Sequence, residues 1–243
     1  QLHSVANRSV ASAEKVAKEW DIPKVASSWM DIIDDPEVDA VCIGTWPYMH
    51  ESITVAALES GKHVLCEARM ASTLEEAHSM MQCHQQHPEL VAQLVPSPFT
   101  LEYDQQIRDR LADGTLGDLV SVDICHESPA RELLTWREQT CYSGNNTLAL
   151  GIWYEALLRW ATPAKNVAAH AKLHDPYKKA ADGSWAIADV PDHIELSGEL
   201  LQGTTYHMRF SSAVGIPRIE FHLTGTAGRL SFSSNELKHV DAD

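Results

Sequence analysis

The stretch that decides the fold runs from residue 35 to residue 67. It reads DPEVDAVCIGT (35–45), WPYMHESITV (46–55) and AALESGKHVLCE (56–67). Ala40-Val41-Cys42-Ile43-Gly44 is an uninterrupted apolar run, the pattern of a parallel strand covered on both faces. Residues 49–60 read as a helix, and Gly61 follows as its C-terminal cap. Residues 62–67 read as a second strand, ending on the carboxylate of Glu67. Strand, helix and strand in this order predict a doubly wound parallel sheet.

The alternation continues on both sides. Residues 2–6 read as a strand. Residues 9–20 have helical spacing, with Val10, Ala13, Val16, Ala17 and Trp20 on one face. Ser72 lies three residues before Glu75, which predicts a capping box opening the next helix, and residues 90–95 follow as a strand. Beyond residue 95 the pattern changes. A helix is expected over 100–113, ended by Gly114, then a strand over 119–126, an irregular loop over 127–146 and an apolar helix over 147–160. Strand signals then dominate, at 167–173, 193–200, 204–210, 218–224 and 229–232. The switch falls at Pro96-Ser97-Pro98, so two domains are expected, residues 1–96 and residues 97–243.

The 243 residues carry 19 Lys plus Arg against 34 Asp plus Glu, a net charge of −15. So acidic a chain repels phosphate backbones and anionic lipid heads, which argues against nucleic-acid and membrane-surface partners. No apolar run approaches the roughly 18 residues of a membrane span, and the first residues lack the features of a signal peptide. The five cysteines are Cys42, Cys66, Cys83, Cys125 and Cys141. Their odd number, without a CxxC pair, and the apolar setting of Cys42 and Cys66 predict reduced, buried thiols of a cytoplasmic protein. Among the 13 histidines, His170 and His174 have i, i+4 spacing but sit on a strand-like segment, and His84 and His87 lie near a helix end, so no metal site is expected.

The residues quoted above resemble the Gfo/Idh/MocA oxidoreductase family. The strand 35–45 is similar to the family's DPxVDAVxIxT, His50 matches the His that closes the following turn, and 56–67 resembles AALxAGKHVLCE. Later, Leu116-Gly117-Asp118-Leu119, Pro191-Asp192 and Gly225-Thr226-Ala227-Gly228 resemble the family's second-domain entry and its sheet turns. The resemblance implies an incomplete Rossmann-like parallel sheet, followed by an α+β substrate and oligomerisation domain with a mostly antiparallel open sheet. It implies a nicotinamide dinucleotide, NADP or NAD, and a sugar or polyol substrate between the two.

Three departures stand beside it. No GxGxxG occurs, and the chain resembles the family from its second strand onward. A loop of that kind holds a pyrophosphate on backbone amides, so the 243 residues are expected to bind a dinucleotide weakly or not at all, as a fragment or as a reduced form of the fold. The family's Glu-Lys-Pro reads Glu67-Ala68-Arg69. Its Asp-x-Gly-x-His-x-x-Asp reads 149–156 ALGIWYEA, with Trp153 at the proton-transferring His and Ala149 and Ala156 at the two Asp.

Asn7 and Arg8 follow the first strand, where the family meets the adenosine ribose. Arg8 is either a partner for a 2′-phosphate or a solvated residue ahead of the cap Ser9. Thr45, Trp46 and Pro47 lie at the carboxyl end of a parallel strand, where open α/β sheets bind ligands. Glu67 ends the next strand and either touches a cofactor or substrate hydroxyl or makes an ion pair. Glu67, Glu155 and His50 are the acid/base candidates, with Glu155 drawing interest as a charge in an apolar helix. Trp136, Arg137, Trp153 and Tyr154 suit a polyhydroxylated ligand by stacking and hydrogen bonding, although Trp153 also reads as plain core. Glu67, Glu155 and Trp153 are expected to border one crevice. Rival readings are a hydrolase or lyase using the crevice carboxylates without a cofactor, and a sugar-binding protein without turnover.

In the last strands, Ile219, Phe221 and Leu223 alternate with Arg218, Glu220, His222 and Thr224, and Tyr206, Met208 and Phe210 with Thr205, His207 and Arg209. One face is therefore apolar and one mixed. The mixed face is expected to pack on a second copy, giving a homodimer or higher homo-oligomer with Arg209 and Glu220 near opposite charges.

Overall fold

The computed structural model describes residues 1–233 and 236–241, and the chain divides into two units, Gln1–Pro96 and Ser97–Asp243.

The first unit alternates strand and helix: β1 (Ser4–Val5), α1 (Val10–Glu19), β2 (Lys24–Val25), α2 (Trp29–Ile33), β3 (Ala40–Ile43), α3 (His50–Glu59), β4 (His63–Cys66), α4 (Leu74–Gln86) and β5 (Ala92–Leu94). All pairings are parallel, but they form two pieces, β1–β2 and β3–β4–β5; among the described residues no strand joins β1 to β3. Val41 and Ile43 of β3 and Val64 and Cys66 of β4 pack against Ile53, Ala57 and Leu58 of α3 and Met80 and Cys83 of α4. The expectation of cover on both faces is corrected here. Ala40 and Cys42 are exposed, because alternate side chains of β3 point away from that core. Cys42 is thus not a buried thiol, whereas burial pushes the Cys66 thiol up to about 11.

Side-chain caps set three of the four helix starts in this unit. The Ser9 hydroxyl accepts from the Ser12 amide at the head of α1. Thr73, not Ser72, caps α4 by accepting from Glu76, while Glu76 accepts from the Ser72 amide. The short α2, too brief to show a periodic face, is set by a full capping box between Ser28 and Asp31. Lys62, buried just ahead of β4, donates its ammonium to the carbonyls of Asp35 at 2.8 Å and Val38 at 2.7 Å. That bond set fixes the loop before β3, where the Asp35 carbonyl also accepts from the Val38 amide and the Val38 carbonyl depends on Lys62.

The second unit holds α5 (Asp104–Ala112), β6 (Leu119–Pro129), α6 (Thr140–Ser143), α7 (Leu150–Trp160), β7 (Ala164–Lys172), β8 (Tyr177–Lys179), β9 (Trp185–Ile187), β10 (His193–Leu200), β11 (Thr205–Val214), β12 (Arg218–Gly225), β13 (Gly228–Ser233) and β14 (Glu236–Asp241). Seven strands form one sheet in the order β14-β13-β12-β6-β11-β10-β7, antiparallel except between β6 and β11. Its inner face, including Val122, Ile124, Tyr206, Met208, Phe210, Phe221 and Leu223, packs against Ile107 of α5 and Trp153, Ala156, Leu157 and Trp160 of α7.

Both helices start later than the sequence suggests, since Thr100 and Leu148 have positive φ, 65° and 51°, which no helical residue adopts. The expected loop over 127–146 is partly ordered: β6 runs on to Pro129, a 3-10 turn covers Trp136–Glu138, and α6 follows. The hairpin β8–β9, three residues a side, escaped the sequence reading. The turns quoted for the family have a physical cause. Gly117 and Gly225 sit where a Cβ would lie 2.2 Å from Thr226 Oγ1 and 2.0 Å from the Leu116 carbonyl. That closeness lets Asp118 and Thr226 exchange hydrogen bonds and the Ala227 amide reach Leu116. Asp192, buried after Pro191, accepts from the amides of His174 and Asp175. No helix among the described residues is long and apolar enough to cross a membrane.

Candidate functional site

In the first unit one cavity of about 520 Å³ brings together Asn7, Arg8, Thr45 and Trp46. It opens between the end of β1 and the free edge of β3, and Ser28, Trp29, Ile32 and Tyr48 complete much of its wall. Those four were missed in the sequence; the capping box at Ser28 was the signal that could have found them. The Arg8 guanidinium lies 5.4 Å from the centroid of the Trp46 ring, within cation–π range. Asn7 turns its carboxamide oxygen onto the Arg8 amide at 2.8 Å, holding the backbone ahead of α1. Thr45 Oγ1 is buried without a hydrogen-bond partner, an unsatisfied group of the kind that a bound polar ligand would complete.

Pro47, His50 and Glu67 are not among the residues lining this cavity. Pro47 is buried at the start of a 3-10 turn that leads into α3. His50 is fully buried, and its ring nitrogens face the carbonyls of Arg69 at 2.7 Å and Thr45 at 2.9 Å. With both nitrogens occupied and no solvent access, the ring ties the loop after β3 to the loop after β4. That corrects the expectation of His50 as an acid/base group open to a ligand. Glu67 is exposed, and its carboxylate accepts from the Ala68 amide at 3.2 Å.

The second unit separates its candidates. Trp153 and Glu155, two residues apart on α7, face different ways. Trp153 is core: it touches Phe99 and Phe221, with ring centroids 4.9 and 6.0 Å away, and donates its indole N–H to Nδ1 of His126 at 2.9 Å. Both oxygens of Glu155 accept from the Ser97 amide, at 2.9 and 3.0 Å, and Arg159 lies 3.6 Å away. Arg159 also pairs with Asp104 at 2.8 Å and donates to the carbonyls of Ser97 and Phe99. The charge in the apolar helix is thus partnered, fastening residues 97–100 to α7. Tyr154 accepts from the Ala164 amide at 3.0 Å. Arg137 stacks on Trp136 at 4.3 Å in the 3-10 turn. Glu67 belongs to the first unit, and Glu155 and Trp153 to the second.

On the outer face of the sheet several charges are paired within the chain. Arg209 meets Glu195 at 2.9 Å and Glu127 at 3.7 Å, and Arg218 meets Glu127 at 3.3 Å and Glu220 at 3.4 Å. Arg209 and Glu220 therefore have partners without a second copy. Arg218 also donates to the sulfur of Cys125, whose thiol burial pushes upward. His3, Asp35 and Glu37 of the first unit are near enough together to share a cation, but the Lys24 ammonium already sits on Asp35.

Comparison with known proteins bears on the family and the fold. Residues 1–93 match the oxidoreductase family with an NAD-binding Rossmann fold, and residues 105–231 match the GFO/IDH/MocA C-terminal domain. Trans-1,2-dihydrobenzene-1,2-diol dehydrogenase from Bos taurus is 33% identical over 119 residues, covering 49% of this chain and 35% of that protein. 1,5-anhydro-D-fructose reductase from Ensifer adhaerens is 31% identical over 126 residues, covering 52% and 38%. The chain thus aligns with about a third of the length of these relatives. Among solved structures, an oxidoreductase domain protein from Kribbella flavida superposes with a TM-score of 0.88 at 20% identity, over 100% of this chain and 68% of that one. Levoglucosan dehydrogenase in complex with NADH and L-sorbose superposes with a TM-score of 0.82 at 23% identity, again over 100% and 68%. With both units matched, the chain belongs to the Gfo/Idh/MocA family of oxidoreductases.

Proposed function

We propose that this chain forms part of a nicotinamide-dependent oxidoreductase of a sugar or polyol, and that the cavity beside Arg8 takes the adenosine end of the dinucleotide. The observation that carries the reading is the set of groups around that cavity: a guanidinium over an indole, with the buried, unpaired Thr45 hydroxyl in the same wall. Guanidinium suits a 2′-phosphate, which favours NADP over NAD. The indole supplies an apolar face for a purine, and the hydroxyl a polar contact. The residues do not fit the diphosphate equally well, since no glycine-rich loop lies within these 243 residues to offer it backbone amides. Binding by this chain is therefore expected to be weak. Relatives named for levoglucosan, anhydrofructose and dihydrodiol substrates support the substrate class.

The dinucleotide, when bound, supplies the hydride acceptor. This chain's residues bind and orient. Glu67, exposed after β4, is the group we assign to a hydroxyl contact; Trp136, Arg137 and Tyr154 remain candidates for a polyol, and Glu155 acts through the segment it fastens. His50 holds the loops that carry Thr45 and Arg69. The outer face of the second unit's sheet is assigned to a second copy, and light scattering giving the mass of a monomer, 26.9 kDa, would refute that assignment.

Calorimetry and Trp fluorescence with NADP and NAD test the cofactor site. NADP is expected to bind the tighter of the two, above micromolar Kd, and Arg8→Ala to abolish the preference. Submicromolar binding, or a preference that survives Arg8→Ala, would overturn the assignment.

A further inference from the structure

Alternation along β6 puts Val122, Ile124 and His126 on the inner face of the sheet, and Asp123, Cys125 and Glu127 on the outer. Val122 and Ile124 are buried beneath the helices, but His126 stands where that cover ends. Its register partner on β12, Ile219, is 41% exposed, although Phe221 and Leu223 further along the same strand are fully buried. An indole can only donate, so the bond from Trp153 fixes His126 Nδ1 as the acceptor. A neutral ring must then carry its proton on Nε2, for which no partner exists among the described residues. The side chains around it are uncharged: Phe99, with ring centroid 5.5 Å away, Trp153, and the register partners Phe210 and Ile219. Burial lowers the pKa of the ring, favouring the neutral form. The result is a histidine with one nitrogen anchored, its tautomer set and its second nitrogen free at the open end of an apolar face.

We propose that His126 presents its Nε2–H as a hydrogen-bond donor to a hydroxyl oxygen of a sugar or polyol ligand, with Trp153 as its positioning residue. This rests on the reading of the chain as a sugar or polyol oxidoreductase. With Nδ1 held as the acceptor of the indole N–H, the neutral ring has no site for a further proton, so Nε2–H gives a hydrogen bond to a ligand oxygen and no proton is transferred. No electron transfer is assigned to it.

Nitrogen-resolved NMR of the whole chain tests this, with L-sorbose as the probe. At pH 7 the ring is expected to show Nδ1 as acceptor and Nε2 protonated, and sorbose to shift the Nε2 signal. Trp153→Phe is expected to mix the tautomers and raise the apparent pKa, because the indole bond stabilises only the neutral ring. His126→Phe is expected to weaken sorbose by about fivefold. An Nδ1–H tautomer in the unaltered protein overturns the proposal, whether or not Trp153→Phe folds. Sorbose shifts confined to other residues overturn it too, while leaving the sugar reading intact. A chain in which no residue responds to sorbose overturns the sugar reading and the proposal together.

Discussion

The second unit builds one seven-stranded sheet in which every strand spans at least six residues, and two helices cover its inner face. The first unit has strands of two to four residues in two separate pieces, with the facing edges of β1 and β3 unpaired among the described residues. Both units bury apolar residues by the same alternation. They differ in how far the hydrogen-bonded ladder extends from the core. In the second unit every inner strand has neighbours on both sides, so backbone and core stabilise each other. In the first, α3 and α4 gather the core around β3 and β4, whereas β1 and β2 contribute little to it. The cavity beside Arg8 opens at this break, with the unpartnered Thr45 hydroxyl in its wall.

Hydrogen exchange probes this contrast with the largest expected effect. Amides of β6 and β11 are expected to exchange about a thousandfold more slowly than those of β1 and β2; equal protection would erase the distinction. Phe221→Ala comes next. Phe221 is fully buried, stacked on Phe232 at 5.2 Å and close to Trp160 at 5.1 Å, and its truncation should cost the second unit about 3–5 kcal/mol in urea unfolding. In the first unit, Lys62→Met keeps the apolar stem but removes the bonds to the Asp35 and Val38 carbonyls and leaves the Val38 carbonyl unpaired, an expected loss of about 1–3 kcal/mol. A loss as large as that of Phe221→Ala would show the first unit to be the more tightly coupled of the two.

The smallest effect is pH-dependent. The Lys24 ammonium, then the Glu37 amide and His3, hold the Asp35 carboxyl down at about 2. A carboxyl lowered on folding contributes stability that is full above its ordinary range and is lost as pH falls from about 4 toward about 2. The first unit should therefore lose stability over that window, and Asp35→Asn should flatten the loss. Because the Lys24 side faces solvent, salt should weaken the effect as well. A profile unchanged by Asp35→Asn would place the acid sensitivity elsewhere.

Part of the candidate cavity was legible in residue order. Arg8, Thr45 and Trp46 were readable because the carboxyl ends of parallel strands converge, and the cavity does gather them. His50 was misread because its motif position says nothing about burial, which depends on two carbonyls far from it in sequence. Glu155 looked anomalous in an apolar helix only because its partner amide, Ser97, lies 58 residues away. His126 was passed over although the alternation VSVDICH places it on the inner face; nothing local shows that Trp153 would donate to it.

By itself the sequence determined the family, the alternation of strands and helices, the inner and outer faces of the antiparallel strands, and the glycines at Gly117 and Gly225. These depend on local geometry: the period of two along a strand, the cap at a helix end, and the lack of room for a Cβ. Tertiary structure alone decided that Cys42 is exposed, that His50 is locked between carbonyls, that Arg209 and Glu220 are paired within the chain, and that one nitrogen of His126 has no partner among the described residues. Each depends on groups brought together from distant parts of the chain, and burial and hydrogen-bond partners are properties of that assembly, which no short window of residues contains.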